Sequence, residues 1–267
     1  MKVRGKVIVV TGAGSGMGRE LTLELLRRGA RVAAVDLRPE GLAETEQLAN
    51  AGERLSTHMA DISDRAAVEA LPDAVVAAHG RVDGVVSVAG IIQPFVTVEE
   101  LDYDVIDKVL AVNLMGTIYV NKAFLPLLRK RPEAHIANVS SMGGFLPVPG
   151  QSIYGASKAA VKLLTEALYA ELLGSNVGVS VIMPGAVSTN IAGNSGVTIA
   201  GMEEAASSAR MTSARDAARI MADGVEHNRL HIYVGHDSQL MGAATRLAPK
   251  HATQLISKQM KGLLAKP

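Results

Sequence analysis

Several residue types that mark particular functions are rare or missing in this sequence. None of its 267 residues is cysteine, so disulfide bonds and thiolate metal sites are excluded. Tryptophan is also absent, and only three phenylalanines and five tyrosines occur. The formal net charge is +1, and there is no basic stripe with interleaved aromatic residues. The composition therefore gives no support for nucleic-acid binding.

Long apolar segments and clusters of metal ligands are missing as well. No run of 18 consecutive apolar residues occurs, and the opening residues MKVRGK lack the apolar core of a signal peptide. We therefore expect a soluble protein located in the cytoplasm. The seven histidines do not lie near carboxylates at ligand spacing, so we expect no metal site.

Aliphatic residues must fill the core of this protein. Hydrophobic residues make up 48% of the chain, and they are mainly Val, Ile, Leu and Ala. These residues usually fill a parallel β-sheet that is covered by helices. The length suits one large α/β domain better than two.

The first strong pattern follows a short apolar stretch at residues 6–10. The next eight residues, TGAGSGMG, include Gly12, Gly16 and Gly18, and a helical pattern begins at Arg19. A strand, a glycine turn and a helix in this order let a pyrophosphate approach the N–H groups at the positive end of the helix. The spacing differs from G-x-G-x-x-G, so this interpretation depends on the neighbouring segments.

A second predicted strand, residues 31–36, ends in Asp36. A carboxylate at this place can accept hydrogen bonds from both ribose hydroxyls of an adenosine, and it repels a 2′-phosphate. Asp36 therefore favours NAD over NADP. Arg38 lies two positions further along and would partly offset the repulsion.

Strand and helix patterns alternate along the rest of the chain. Pro72 is expected to kink its helix or to start a new turn, and residues 190–211, rich in Gly, Ser and Ala, are expected to form a mobile lid. The pattern predicts a doubly wound, seven-stranded parallel sheet with helices on both faces. Further helices are predicted at 40–50, 65–79, 98–128, 151–173 and 213–227, and further strands at 56–60, 82–88, 135–139, 178–183 and 231–234.

The helix predicted at residues 151–173 carries a candidate catalytic pair. Ser152 lies where an N-cap is expected, and Tyr154 and Lys158 stand four residues apart on the same face. A tyrosine that exchanges protons near neutral pH needs its pKa lowered by about 3 units, and a neighbouring cation supplies part of that. Tyrosine and lysine at this spacing also occur on many ordinary amphipathic helices.

Taken together, these segments resemble the short-chain dehydrogenase/reductase family over residues 5–235, which implies a single-domain Rossmann fold. Ser141 precedes Tyr154 by 13 residues, as in the family. Val88 departs from the family pattern, which has an asparagine there, and this affects local stability more than catalysis. The matching pieces are the TGAGSGMG turn, Asp36, Asp61, Ala89, Gly90, Asn113, Ser141, Tyr154, Lys158 and the PGAVST segment that begins at Pro184.

The resemblance implies a role for each of four catalytic residues. Tyr154 would take a proton from a secondary alcohol or return it to a ketone. Lys158 would lower the Tyr154 pKa and hold the nicotinamide ribose. Ser141 would bind the substrate oxygen and stabilise its developing charge. Asn113 would hold a water molecule between Lys158 and the solvent.

The resemblance also implies a set of NAD contacts. Asp61 and Ile62 would contact the adenine, and Ala89 and Gly90 the ribose side. The segment that begins at Pro184 would contact the nicotinamide and its carboxamide. The expected cofactor-binding residues are Gly12, Ser15, Gly16, Met17, Gly18, Asp36, Leu37, Asp61, Ile62, Ala89, Gly90, Tyr154, Lys158, Pro184, Gly185, Val187 and Thr189.

The sequence therefore predicts an NAD-dependent alcohol dehydrogenase or ketone reductase. Reduction of C=C or C=N bonds at the same site is the main alternative. A dinucleotide-binding protein without catalysis is disfavoured because all four catalytic positions are intact. The substrate is expected to be apolar, since the segments that would surround it are apolar: residues 91–95, residues 145–149, Ile191, Val197, Ile199 and Met202.

Two surfaces are expected to contact other molecules. The predicted helices around residues 105–128 and 153–173 are apolar nearly all round, which predicts an oligomer. The family resemblance implies that this oligomer is a homodimer or homotetramer. Residues 236–267 form a C-terminal extension with five Lys or Arg and one Asp, expected to contain two amphipathic helices separated by Pro249. We expect this tail to pack on protein, while contact with an anionic membrane is the alternative.

Overall fold

The computed structural model describes residues 1–197 and 211–260. Seven strands form one parallel sheet in the order β3-β2-β1-β4-β5-β6-β9, so the predicted architecture is confirmed. The buried central strands are nearly continuous apolar runs, as a parallel sheet covered on both faces requires. The strands are β1 (Val7–Thr11), β2 (Arg31–Asp36), β3 (Leu55–Met59), β4 (Gly84–Ser87), β5 (Ala134–Val139), β6 (Val177–Pro184) and β9 (His231–Val234).

Helices cover both faces of this sheet. On one face, Leu21 and Leu25 of α1 join Met221 of α8 in one apolar cluster. On the other face, Phe124 of α5 and Leu168 of α6 belong to a second cluster. The helices are α1 (Gly16–Arg27), α2 (Pro39–Ala49), α3 (Arg65–His79), α4 (Tyr103–Leu110), α5 (Gly116–Leu128), α6 (Ser152–Glu171), α7 (Ile191–Asn194), α8 (Ala214–Glu226), α9 (His236–Leu247) and α10 (Pro249–Gln259).

The order of the strands determines where a ligand can bind. The chain starts at β1 in the middle of the sheet, runs outward to β3, and then returns to β4 on the other side of β1. The connections after β1 and β4 therefore leave the sheet in opposite directions. This reversal opens a crevice at the carboxyl ends of the strands, which is the usual ligand site of an open α/β sheet.

The helical segment predicted at residues 98–128 differs from the prediction. It begins at Tyr103, and a π-helical turn at Ala111–Met115 separates α4 from α5. By length and composition alone Tyr103–Leu128 could span a membrane, but it packs against α3, β4 and β5 as one layer of the domain. The apolar pattern predicted the helix correctly and did not reveal the change of helical type.

Other boundaries also needed correction. Ser152 is the first residue of α6 and not its N-cap, a position that Gln151 holds. Pro72 lies inside α3, which runs unbroken from Arg65 to His79. Two short strands that were not predicted, β7 (Val187–Ser188) and β8 (Thr212–Ser213), pair in parallel.

Two helices, α9 and α10, occupy the described part of the C-terminal segment, residues 236–260. They pack against each other, and α9 also contacts β9 and the short 3₁₀ turn Met142–Gly144. Ala252 and Ile256 of α10 are buried. Of the expected lid, residues 190–197 and 211 are described, and Ile199 and Met202 lie outside the described residues.

Candidate active site

A cleft of about 760 Å³ lies at the crevice between the connections that follow β1 and β4. Most of the residues expected to bind the cofactor line it. They are Gly12, Ser15, Gly16, Met17, Gly18, Asp36, Leu37, Asp61, Ile62, Ala89, Gly90 and Thr189. The predicted binding residues from five separate segments therefore meet in one place.

The glycine turn brings the backbone close to the floor of the cleft. Gly12 has a φ of +70°, and a Cβ atom there would lie 2.9 Å from the Ala89 Cα. A Cβ at Gly18 would collide with the Gly12 carbonyl. The Ser15 hydroxyl accepts a hydrogen bond from Arg38 and so points away from the first turn of α1. The N–H groups of that turn are left available to an anion such as a pyrophosphate.

Asp36 is fixed at the wall of the cleft by two backbone hydrogen bonds. Its Oδ2 accepts from the Gly14 N–H at 2.8 Å, and its Oδ1 accepts from the Arg38 N–H at 3.0 Å. Each carboxylate oxygen keeps a further lone pair for a ribose hydroxyl. The Arg38 guanidinium binds Ser15 and the Asn194 Oδ1, and its Nε lies 3.9 Å from the Asp36 carboxylate.

The rest of the lining combines expected and unexpected residues. Asp61 accepts hydrogen bonds from the Ser63 N–H at 2.8 Å and the Ser63 hydroxyl at 2.7 Å, and Ile62 packs against Gly116. Sequence reasoning missed the contribution of α4 and the π-helical turn, from which Val109 and Val112 line the cleft. The apolar spacing of these residues indicated a buried face, but it could not show that this face borders a ligand site.

Asn113 is fully buried within the π-helical turn. Its Oδ1 accepts from the Ile91 N–H at 2.8 Å, and its Nδ2 donates to the Ile91 carbonyl at 2.9 Å and to the Ser157 hydroxyl at 3.1 Å. The side chain thus joins the segment after β4 to α6. π-helical turns are often found at functional sites. That Asn113 also holds a water molecule stays a prediction.

Ser141, Tyr154 and Lys158 come together at the end of the cleft beyond Gly90. A Cβ atom at Gly143 would lie 3.3 Å from the Tyr154 ring and 3.5 Å from the Ser141 Oγ. The Lys158 Nζ donates to the Val139 carbonyl at 3.0 Å and lies 6.0 Å from the centre of the Tyr154 ring. A Cβ at Gly90, which lines the cleft, would lie 3.0 Å from this Nζ.

Burial dominates the electrostatics of this pair. It lowers the pKa of Lys158 to about 8, because the ammonium is almost wholly removed from water. It also raises the pKa of Tyr154, although interaction with Ser141 acts in the opposite direction. The expected lowering of the Tyr154 pKa by Lys158 is therefore not seen in the protein alone, since desolvation dominates and raises this pKa.

Five of the expected cofactor contacts lie outside the residues that line the cleft, namely Tyr154 and Lys158 beyond Gly90, and Pro184, Gly185 and Val187 of the PGAVST segment. Within the described ranges, Pro184 ends β6, Gly185 packs against Asp237, and Val187 lies in β7. The Asp237 Oδ2 accepts a hydrogen bond from the Ala186 N–H at 2.7 Å. The first turn of α9 therefore holds this loop in place, and Thr189 is the member of the segment that reaches the cleft.

Only some of the apolar residues that were expected to surround the substrate line the cleft. Ile91, Ile92, Pro94, Ile191 and Val197 line the cleft. The prediction was wrong for the Gln93 side chain, which is fully buried and bonded to α6. It was also wrong for Leu146, which lies in the core, and Phe145 packs edge-on against Tyr233.

The arrangement fits a dinucleotide. The glycine turn leaves room for a pyrophosphate at the start of α1, and the Asp36 carboxylate is placed for a ribose. Gly90 lies between the cleft and the Lys158 Nζ, and there is no room for a larger side chain at that position. In residues 1–197 and 211–260, no three histidines or carboxylates come together as metal ligands.

Comparison with known proteins agrees with this geometry. The family described as short chain dehydrogenase matches residues 6–199. SadH of Mycobacterium tuberculosis (strain ATCC 25618 / H37Rv), which is named as an oxidoreductase, is 35% identical over 263 residues, covering 95% of this chain and 94% of its own.

Two solved structures carry different cofactors. A short-chain dehydrogenase/reductase from Burkholderia phymatum in complex with NAD superposes with a TM-score of 0.84 at 30% identity, covering 100% of this chain and 99% of that one. A short chain dehydrogenase from Burkholderia cenocepacia J2315 in complex with NADP has a TM-score of 0.81 at 25% identity, with 96% and 99% covered. The chain belongs to the short-chain dehydrogenase/reductase family of oxidoreductases.

Proposed function

We propose that this protein is an NAD(H)-dependent oxidoreductase that interconverts an apolar secondary alcohol and its ketone. The observation that carries the proposal is the meeting of Ser141, Tyr154 and Lys158 beside Gly90, at one end of a cleft shaped for a dinucleotide. A hydroxyl, a phenol and an ammonium are the groups needed to orient a carbonyl oxygen and to exchange its proton.

Each of these residues has a distinct task in the proposed reaction. NAD(H), when bound, accepts or supplies the hydride. Ser141 holds the substrate oxygen, and the Tyr154 hydroxyl takes or returns the proton at that oxygen. Lys158 holds the nicotinamide ribose. When the Lys158 amine is protonated, its charge favours the phenolate of Tyr154.

Asp36 supports the choice of NAD. Its carboxylate is held in the cleft wall by the Gly14 and Arg38 N–H groups, so it cannot easily swing away from a 2′-phosphate. The Arg38 guanidinium is engaged with Ser15 and Asn194. A free arginine would be needed to compensate for the additional phosphate charge of NADP.

The apolar lining of the cleft supports the choice of substrate. Ile91, Ile92 and Pro94 follow β4, and Ile191 and Val197 belong to the segment after β7 that lines the same cleft. An apolar molecule that enters here replaces water against these side chains. A short, charged hydroxy acid would find few partners among them.

A turnover screen tests the proposed function. Secondary alcohols and ketones of increasing apolar size would be offered with NAD(H) and NADP(H), and product formation followed at 340 nm, with the Tyr154→Phe variant as the control. We expect turnover with NAD(H) that increases with apolar size and disappears in the variant.

The same screen separates the alternatives. Turnover of enones or imines, with inert ketones, would favour the C=C or C=N reductase. Binding of NAD(H) without turnover of any substrate would favour the dinucleotide-binding protein that does not catalyse a reaction. A clear preference for charged hydroxy acids would contradict the apolar site.

We also propose that the protein forms a homodimer or homotetramer through α4 and α6. These helices pack side by side, and Tyr103 and Leu163 on them are 83% and 68% exposed. Exposed apolar side chains on neighbouring helices are typical of a protein contact. Leu163→Asp should reduce the mass in sedimentation, whereas Leu48→Asp on α2 should not. A wild-type monomer at micromolar concentration would contradict this.

We further propose that the C-terminal extension acts by packing on protein. Helix α9 contacts β9 and the turn after Ser141, and Asp237 holds the Gly185–Ala186 loop. Truncation after Gly235 should therefore change substrate KM or assembly. Loss of vesicle binding alone, with normal kinetics and mass, would show that the membrane alternative is right.

A further inference from the structure

The helix that carries Tyr154 obtains its N-terminal cap from a distant part of the chain. The N–H groups of Ile153 and Tyr154 both donate to the Gln93 Oε1, at 2.8 and 2.9 Å. The residue at the N-cap position, Gln151, instead donates from its Nε2 to the Gln93 carbonyl at 2.7 Å. Because the first N–H groups of a helix have no partner within it, Gln93 supplies what the local sequence does not.

The orientation of the Gln93 amide is fixed at both ends. While its oxygen accepts from the helix, its Nε2 donates to the Gly150 carbonyl at 3.0 Å. The side chain is fully buried. This position therefore needs a side chain whose end carries both a hydrogen-bond acceptor and a donor. A carboxamide carries both, whereas a carboxylate lacks the donor and an apolar group lacks both.

The segment that carries Gln93 is itself anchored to the active site. Asn113 binds both the N–H and the carbonyl of Ile91, two residues before Gln93. Asn113 also donates to the Ser157 hydroxyl, and this hydroxyl donates to the Tyr154 carbonyl at 2.7 Å. The main chain of Tyr154 is therefore held at its N–H by Gln93 and at its carbonyl by Ser157.

We propose that Gln93 is a positioning residue for Tyr154, which holds the first turn of α6 so that the phenol stays in place beside Ser141 and the substrate oxygen. The proposal rests on the acid/base role given to Tyr154 in the proposed function. Gln93 acts through the backbone and does not touch the reactants. Since displacements of about 1 Å cost on the order of a hundredfold in rate, the cap matters for turnover as well as for stability.

Two near-isosteric variants test this. Gln93→Met removes the hydrogen-bond acceptor of the Tyr154 N–H. Thr165→Val is the control, because Thr165 lies further along α6 and its hydroxyl accepts a buried hydrogen bond from the Asn138 Nδ2 that the variant removes. We expect Gln93→Met to lower kcat by about tenfold to a hundredfold, with the KM for substrate and the Kd for NAD nearly unchanged. Thr165→Val should lower the Tm and leave kcat nearly unchanged.

A conservative variant keeps the test decisive if Gln93→Met does not fold. Gln93→Glu retains an oxygen for the Ile153 and Tyr154 N–H groups and loses only the donor to Gly150. Its kcat should lie between those of the wild type and Tyr154→Phe. The ratio of its kcat to the wild-type kcat should increase as the pH falls, because a protonated carboxyl mimics the amide. A kcat for either Gln93 variant equal to that of Thr165→Val would overturn the proposal.

A double-mutant cycle separates this inference from the proposed function. If Gln93 acts through Tyr154, Gln93→Met adds no further loss of turnover to Tyr154→Phe. Additive losses would mean that Gln93 acts elsewhere. If Tyr154→Phe alone retains full turnover, the proposed function fails. If Tyr154→Phe is inactive and Gln93→Met is fully active, only the positioning role fails.

Discussion

The two ends of the cleft are built in different ways. At the end proposed for the adenosine, the glycine turn follows β1 and Asp36 ends the neighbouring strand β2, and Asp36 is held by backbone N–H groups of nearby loops. At the catalytic end, Gln93, Asn113 and Tyr154 come from distant segments and are joined by hydrogen bonds through buried side chains, while Ser141 lies beside the Tyr154 ring next to Gly143. The first end depends on local backbone shape and the second on long-range hydrogen bonds.

This difference predicts how each end responds to substitution. In the proposed function, the adenosine end recognises the cofactor through the charge and shape of its wall, so changes there should alter which dinucleotide binds. The catalytic end needs a few side chains in fixed places, so changes there should alter turnover. It also contains a buried ammonium, whose burial opposes folding.

The largest expected effect is that of Tyr154→Phe at the catalytic end. Turnover should fall by about a hundredfold to ten-thousandfold, because the proton-transfer group is lost. The affinity for NAD, measured by calorimetry, should be nearly unchanged since the ring still packs. Tyr169→Phe, a half-exposed tyrosine on the same helix, is the matched control and should be fully active. An active Tyr154→Phe variant would show that the acid/base assignment is wrong.

At the adenosine end, Asp36→Asn should weaken the discrimination against NADP. Removing a charge a few ångströms from a 2′-phosphate is worth about 1–3 kcal/mol, which is about tenfold to a hundredfold in the ratio of the two dissociation constants. Glu40→Gln removes the same charge from the exposed first turn of α2 and should leave the ratio unchanged. Equal affinities of the wild type for NAD and NADP would contradict the role of Asp36.

The smallest expected effect is a pH-dependent gain of stability in Lys158→Met. Burial lowers the Lys158 pKa to about 8 in the folded chain, against about 10.4 in the unfolded chain. Below pH 8 both states are protonated, and the buried ammonium costs stability in full. Between these pKa values the unfolded state binds more protons, so wild-type stability rises with pH.

The variant should therefore be more stable than the wild type by about 2 kcal/mol at pH 7, after allowing for the lost hydrogen bond to Val139. The difference should disappear as the pH rises towards 10.4, which urea unfolding at several pH values would measure. Lys162→Met is the control, because Lys162 pairs with Glu166 near the surface and its removal should not stabilise the protein. A gain that does not depend on pH would point to packing and not to charge.

The sequence alone determined the order of the elements and the adenosine end of the site. Continuous apolar runs between helical patterns predicted the strands of the sheet, because a strand buried on both faces must be apolar along its length. The glycines after β1 and the acidic residue that ends β2 were predicted to meet at the cofactor site, and they line the cleft. These features depend on residues that are neighbours along the chain, so they can be predicted from the sequence.

Only the tertiary structure showed the contacts between segments that are distant in the sequence. The π-helical turn around Asn113, the cap that Gln93 provides for α6, and the packing of α9 against the turn after Ser141 have no local sequence signal. The apolar run around Gln93 suggested a substrate wall, whereas the folded chain turns this side chain towards the first turn of α6. The pKa values of Tyr154 and Lys158 were also decided here, because burial depends on the whole fold and exceeds the effect of their four-residue spacing.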